Sequence, residues 1–295
     1  MTYRDRPGLA IGLRLLSGLL GAGMFVSVKA VSDAIPLGEI VFFRSFFALI
    51  PLIVFLWVRD EFPGGLATTR PGAHLLRSGF GAIALFTSFA AIARLNVAEA
   101  ILVAQLSPVL MALAAVVLLS ERLTLWRLGG LGLGFAGVIV LVWPELQGQS
   151  ADPARLLGFL IGLISAVLSA LALIMVRSLN QTESPGAIAL YFVLVSMIGA
   201  LVTLPWGWVM PDGASLILLI AAGLFGGFAH IAMTLAFRYA EASRLAPFEY
   251  VALLWPLLAD LYIFGLGLST AFLLAAPLIL GGALLAAGEG RGRQR

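Results

Sequence analysis

The side chains here that can do chemistry are few, and most of them sit inside apolar runs. From Asn96 to Glu121 the sequence NVAEAILVAQLSPVLMALAAVVLLSE holds twenty-one uncharged residues between Glu99 and Glu121, enough to span roughly 30 Å of hydrocarbon as one helix. Gln105 and Pro108 lie near its middle. The proline removes the helical donor of the Ala104 carbonyl, and backbone opened at membrane depth needs protein or water beside it. A similar stretch, Glu241 to Phe264, carries Pro256 together with Glu249, Tyr250 and Asp260. Elsewhere Gly223, Gly227, His230 and Thr234 recur at helical spacing, as do Gly162, Ser165 and Ser169. Further stripes are Ser17, Gly21, Met24 and Phe25, and Gly81, Thr87 and Ser88.

Polar residues on one stripe of an apolar helix mark the side turned away from lipid. A single such stripe serves helix packing as readily as a pathway. Five of them predict a shared cavity that binds a small solute, walled by Met24, Phe25, Ser88, Gln105, Ser165, Ser169, His230, Thr234, Phe248 and Tyr250. His230 reads as a hydrogen-bonding wall residue rather than a proton carrier, because no carboxylate shares its face. Glu249 is the candidate for proton coupling, as a carboxylate inside a span, whereas Asp260 lies near the end of its run and is expected to be solvated. Arg44 is too deep in its span to snorkel easily and is expected to be a structural charge, paired with Glu39, Glu99 or a helix-end carbonyl. Pro108 and Pro256 are candidate hinges, with fixed kinks as the alternative.

Other chemistries lack their parts. There is no cysteine, hence no disulfide framework, thiolate metal site or thiol nucleophile. No G-x-x-x-x-G-K-[ST], H-E-x-x-H or Asp-rich magnesium motif is present, so no metal, cofactor or nucleic-acid partner is expected, and any energy source is a gradient. An intramembrane hydrolase built on Ser215 and His230 fails on distance: fifteen residues along one helix is roughly 22 Å. A passive structural or lipid-handling role stays open beside transport.

These residues must be positioned by membrane helices. The sequence is 61% hydrophobic and 11% charged, against roughly 45–50% and roughly 25% in soluble domains. The basic start, MTYRDRPG, resembles a signal peptide, but the apolar run behind it is too long and leads into more spans. Spans are expected near 9–31, 37–58, 73–93, 98–119, 126–143, 156–176, 186–206, 214–237, 247–264 and 269–287. The fold class is therefore all-α membrane protein, ten transmembrane helices in two inverted five-helix repeats, at about 9–143 and 156–287 of one membrane domain, 1–295. With the N-terminus inside, fourteen basic residues fall on the inner side and Lys29, Arg94 and Arg155 on the outer, which puts both termini in the cytoplasm. The repeat shows in the first helix pairs: Lys29 and Arg177 each close a helix, and Pro36 and Pro185 each open the next. An odd number of crossings inverts the second copy, the arrangement of alternating-access carriers, whose site lies near the midplane between the repeats.

Gly130 and Gly134 in the fifth span form a G-x-x-x-G, and the tenth span carries Gly281 and Gly282. Both spans are expected to pack rather than to line a pathway, within a monomer or across a homodimer. A single lysine against seventeen arginines suggests a GC-rich bacterial genome and thus a bacterial inner membrane.

Four short stretches carry a family resemblance: Ser107-Pro108, L-L-S-E-R-L-T from Leu118 to Thr124, F-F-R from Phe42 to Arg44, and A-P-F-E-Y from Ala246 to Tyr250. Together they resemble the drug/metabolite transporter superfamily, in its ten-helix branch with two EamA-type repeats, and most of all the bacterial aromatic amino acid exporters. The second copy departs from the pattern, with Phe264-Gly265-Leu266-Gly267 where a glutamate commonly ends the ninth helix. The resemblance implies a central cavity walled by helices other than the fifth and tenth, and export of small amphipathic metabolites such as amino acids, including aromatic ones.

Overall fold

The computed structural model of the protein describes residues 6–119, 125–147, 152–179, 182–239, 245, 248, 251 and 253–292. Among them there are helices and turns and no strand. In chain order the α-helices are α1 (Pro7–Val31), α2 (Leu37–Val58), α3 (Pro71–Arg94), α4 (Val97–Ala104), α5 (Ser107–Leu119) and α6 (Leu125–Leu146). They continue as α7 (Pro153–Leu179), α8 (Pro185–Leu201), α9 (Gly213–Tyr239), α10 (Leu254–Tyr262) and α11 (Thr270–Gly292). Prolines open α1, α3, α7 and α8, where their missing N–H would have been unpaired in any case. Before α8 the Ser184 hydroxyl accepts the Ala187 amide at 3.1 Å.

Among the described residues six helices are long and apolar enough to cross a membrane: those within Gly8–Val31, Leu37–Val58, Pro71–Arg94, Leu128–Leu146, Pro153–Val176 and Gly213–Ala236. Shorter apolar helices lie within Val97–Met111, Pro185–Leu201 and Thr270–Leu285. Large side chains such as Trp57, Leu75, Ile83, Ile217 and Leu274 point outward, as a lipid-facing belt requires. One buried cluster runs through most helices, from Met24 and Phe89 through Leu102 and Leu106 to Phe159, Leu219 and Ile279.

The two sequence halves interleave. α1 and α2 pack on α9, α2 and α3 on α8, and α3 on α7. α6 and α11, the fifth and tenth expected spans, pack on each other to one side. A Cβ at Gly282 would lie 2.6 Å from the Gly130 carbonyl oxygen and 2.7 Å from the Gly134 amide nitrogen, so the glycines let these backbones touch.

The expected single helix over 98–119 is two helices. α4 ends at Ala104, Gln105 and Leu106 turn, and α5 begins at Ser107. Pro108 therefore stands in the first turn of α5 and not in mid-helix, and Pro256 likewise falls in the first turn of α10. The first turn is where proline costs least, because no intrahelical acceptor is waiting for its nitrogen. The seventh expected span, 186–206, ends its α-helix at Leu201, with a short 3-10 turn at Leu204–Trp206.

Candidate functional site

α2 carries Arg44 into the interior, where the residue is only 2% exposed. Its Nε donates to Met24 Sδ at 3.4 Å, and its Nη1 is buried without a partner. The space comes from α9: a Cβ at Gly226 would meet Met24 Sδ at 2.9 Å and Arg44 Nε at 3.1 Å. α3 contributes Arg77, whose Nε and Nη1 are also buried and unpartnered. Both reach Phe192 of α8, with the Arg77 guanidinium carbon 4.3 Å from the ring centroid and that of Arg44 5.9 Å away. The His230 ring, from α9, meets the same phenylalanine edge-on at 6.3 Å. Two guanidinium groups and an imidazole from three helices thus meet one aromatic ring on a fourth.

The acids expected to pair with Arg44 are committed elsewhere. Glu39 is buried and accepts the Val209 amide at 3.0 Å. Glu99 binds Arg155 at 3.0 and 3.1 Å, and the same arginine donates to Glu145 at 2.7 Å. The Arg44 partner read from the sequence is thus corrected: it meets a thioether and an aromatic ring, and no carboxylate among the described residues. Asp260 is corrected too. It is 2% exposed rather than solvated, and its carboxylate accepts the amides of Val97 and Ala98 at 3.1 and 2.7 Å. These are the first free N–H groups of α4, which an acceptor must satisfy at the positive end of the helix dipole.

The other expected cavity residues divide. Met24 and His230 join the arginine cluster. Phe25 packs edge-on against Phe89 at 6.2 Å. Ser165 donates to the Ala84 carbonyl at 2.8 Å, a bond between α7 and α3, and Thr234 donates to the His230 carbonyl of its own helix at 2.8 Å. Ser88, Gln105, Ser169 and Phe248 are half-buried, with Gln105 at the α4–α5 break. Glu249 and Tyr250 lie outside the described residues. Ser215 sits in the first turn of α9, where its amide donates to Asp212 at 2.8 Å, leaving no route to His230 for hydrolysis.

A cavity of 570 Å³ opens at the face where α1, α3 and α8 end. Asp33 and Arg94 lie on its wall, with Ile40 and Phe89 beside them. It is separate from the arginine cluster but adjacent to it: Ile40 is one helical turn from Arg44, and Phe89 touches Phe25, the neighbour of Met24. The cavity is a vestibule, and the unpartnered cations lie deeper.

Sequence reasoning missed Arg77 by assigning it to the inner flank. The signal was its position seven residues into α3, past Ala73 and within an apolar run.

A model of the EamA-like transporter family matches residues 8–143. The riboflavin transporter of Rhizobium johnstonii is 30% identical over 226 residues, covering 75% of this chain and 72% of that protein. The pseudopaline exporter CntI of Pseudomonas aeruginosa is 30% identical over 251 residues, covering 82% and 83%. The S-adenosylmethionine uptake transporter of Rickettsia felis is 25% identical over 258 residues, covering 86% and 84%. A solved crystal structure superposes with a TM-score of 0.68 at 21% identity, covering 98% of this chain and 100% of the other, which is a likeness of fold. Multi-pass helices, a vestibule, a buried polar cluster shared by both halves and relatives that are named transporters agree: the chain belongs to the EamA-like transporter family and is a membrane transporter.

Proposed function

We propose that the protein is a secondary transporter that exports small amphipathic metabolites, amino acids including aromatic ones among them, across the bacterial inner membrane by alternating access. The observation that carries this reading is the cluster around Phe192, to which α2 and α3 contribute from one half and α8 and α9 from the other. A solute held where two repeats meet is exposed to alternate sides as they rock against each other. In this reading α4 and α5 together make the fourth of ten crossings, the repeats are inverted, and both termini face the cytoplasm. The aromatic walls, Phe25 on Phe89 and Phe192 beside His230, suit a flat apolar body.

Counterflow in proteoliposomes tests the function. Vesicles preloaded with phenylalanine or tryptophan should accumulate labelled amino acid, and riboflavin serves as the comparison solute. Absence of counterflow with every solute sinks the transporter mechanism, and counterflow with riboflavin alone sinks the amino acid assignment. Reporter fusions after Gly65 and Gln181 should report cytoplasm and one after Gln147 the outside.

A further inference from the structure

From the unpaired guanidinium nitrogens of Arg44 and Arg77 we infer that the two form a carboxylate-binding site, so that the transported solute is an organic anion whose carboxylate binds these guanidinium groups and whose apolar body lies against Phe192. The inference rests on the transporter reading and narrows its substrate class.

Both arginines belong to helices of membrane-spanning length, and neither has a carboxylate partner among the described residues. A buried charge in hydrocarbon needs a counter-charge. The buried acids among the described residues that might supply one are engaged: Glu39 with Val209, Glu99 with Arg155, Asp260 with the start of α4. The fold nonetheless makes room for both cations. A Cβ at Gly81 would stand 2.9 Å from Arg77 Nη1, as one at Gly226 would crowd Arg44. Next to each arginine in sequence is a buried serine whose hydroxyl has no partner, Ser45 and Ser78. Two forked donors match a planar carboxylate, which accepts two parallel N–H bonds from a guanidinium. The cluster includes no described acid to hold an ammonium group, so the carboxylate is the end of the solute that is recognised. Arg44 stands eight residues into α2 from the vestibule face and Arg77 seven residues into α3 from the opposite face, and both reach Phe192.

The test uses the full-length protein in detergent and three matched probes: 3-phenylpropionate, phenylalanine and phenylalaninamide, which lacks the carboxylate. Inorganic phosphate is the fourth arm. Thermal unfolding should rise saturably with 3-phenylpropionate and with phenylalanine and not with the amide. R44M and R77M keep side-chain volume and remove the charge. Each should unfold without ligand at or above the wild-type temperature, because an uncompensated charge is gone, and each should lose at least tenfold in apparent affinity for 3-phenylpropionate. Equal stabilisation by the amide, no carboxylate response in the wild type, retained affinity in both variants, or a ligand-free R44M that unfolds well below wild type would each overturn the site. A response to phosphate alone would overturn the carboxylate assignment. Carboxylate binding without counterflow would sink the transporter reading and leave the site standing, whereas counterflow of the amide at the rate of the acid would do the reverse.

Discussion

Asp260 of α10 accepts the amide of Ala98 at the start of α4, 2.7 Å away, and so joins helices that are 162 residues apart in sequence. The same carboxylate takes the Val97 amide, while Glu99 one turn on accepts from Asn96 and pairs with Arg155. On the same face the Lys29 ammonium donates to the Ala93 carbonyl, closing the end of α3. Each helix end in this network finds an opposite charge, as the helix dipole favours. Asp260→Ala leaves two buried amides without an acceptor, each costing about 1–3 kcal/mol. Thermal unfolding should fall by several degrees, and Asp260→Asn, which keeps one acceptor oxygen, should lie between. Wild-type unfolding temperatures in both variants would show that α4 does not depend on this cap.

At the opposite face Glu183, in the α7–α8 connection, holds Thr68. Burial works to raise its carboxyl pKa, but the hydrogen bond from Thr68 Oγ1 at 3.0 Å, and His74 Nε2 at an ion-pair distance of 3.4 Å, outweigh it and set the carboxyl below its ordinary value. A carboxylate with a lowered folded pKa adds stability that is fully present above its unfolded pKa, about 4.3, and is lost as pH falls through the folded value. Wild-type protein should therefore lose stability below about pH 4.3 with a contribution that Glu183→Gln lacks, so the two unfolding-versus-pH curves should converge in acid. Parallel curves down to the acid limit would remove Glu183 from this role.

The contact between α6 and α11 is a stability element of the single chain. Gly282→Ala places a Cβ 2.6 Å from the Gly130 oxygen, and such overpacking costs about 1–3 kcal/mol. Gly132→Ala, on the same helix pair but with open space around it, should be near neutral. If Gly282→Ala instead changed the oligomeric mass at unchanged unfolding temperature, the glycines would serve a dimer contact.

Helix positions were largely legible because apolar length and proline at helix starts are local signals, and the expected second span coincides with α2 over Leu37–Val58. The site was legible only in part. His230 and Met24 stood out as polar or soft groups on glycine-bearing stripes, and the structure brings them to the arginines. What joins Arg44 to Arg77 is Phe192, an ordinary-looking phenylalanine on a third helix, and no spacing within one helix encodes that. Asp260 failed for the same reason: position near a helix end suggests water, but its partner is the start of another helix, far away in sequence. Ser165 and Thr234, read as cavity groups, each donate to a helix carbonyl, which position along one helix does not reveal.

The break at Gln105 and Leu106 gives the hinge hypothesis a concrete form. Gln105 N–H still reaches the Ile101 carbonyl at 3.1 Å, Leu106 N–H reaches that of Val103 at 3.1 Å, and α5 restarts with the Leu110 amide on the Leu106 carbonyl at 2.9 Å. Pro108 cannot donate to the Ala104 carbonyl, so one of the bonds that would fuse α4 to α5 cannot form. Pro108→Ala supplies that donor, but proline in the first turn of α5 costs little, so the gain in stability should be well below the roughly 3 kcal/mol of a helix interior. The variant should be at most slightly more stable, and its two segments straighter. If the α4–α5 joint flexes during transport, turnover should drop while substrate affinity changes little, since no binding residue has been altered. Spin labels on Asn96 and on the start of α9 at Gly213 should then lose one of two distance populations. Wild-type turnover with both populations intact would make Pro108 a fixed kink, and the moving joint would have to be sought at the loops between helices.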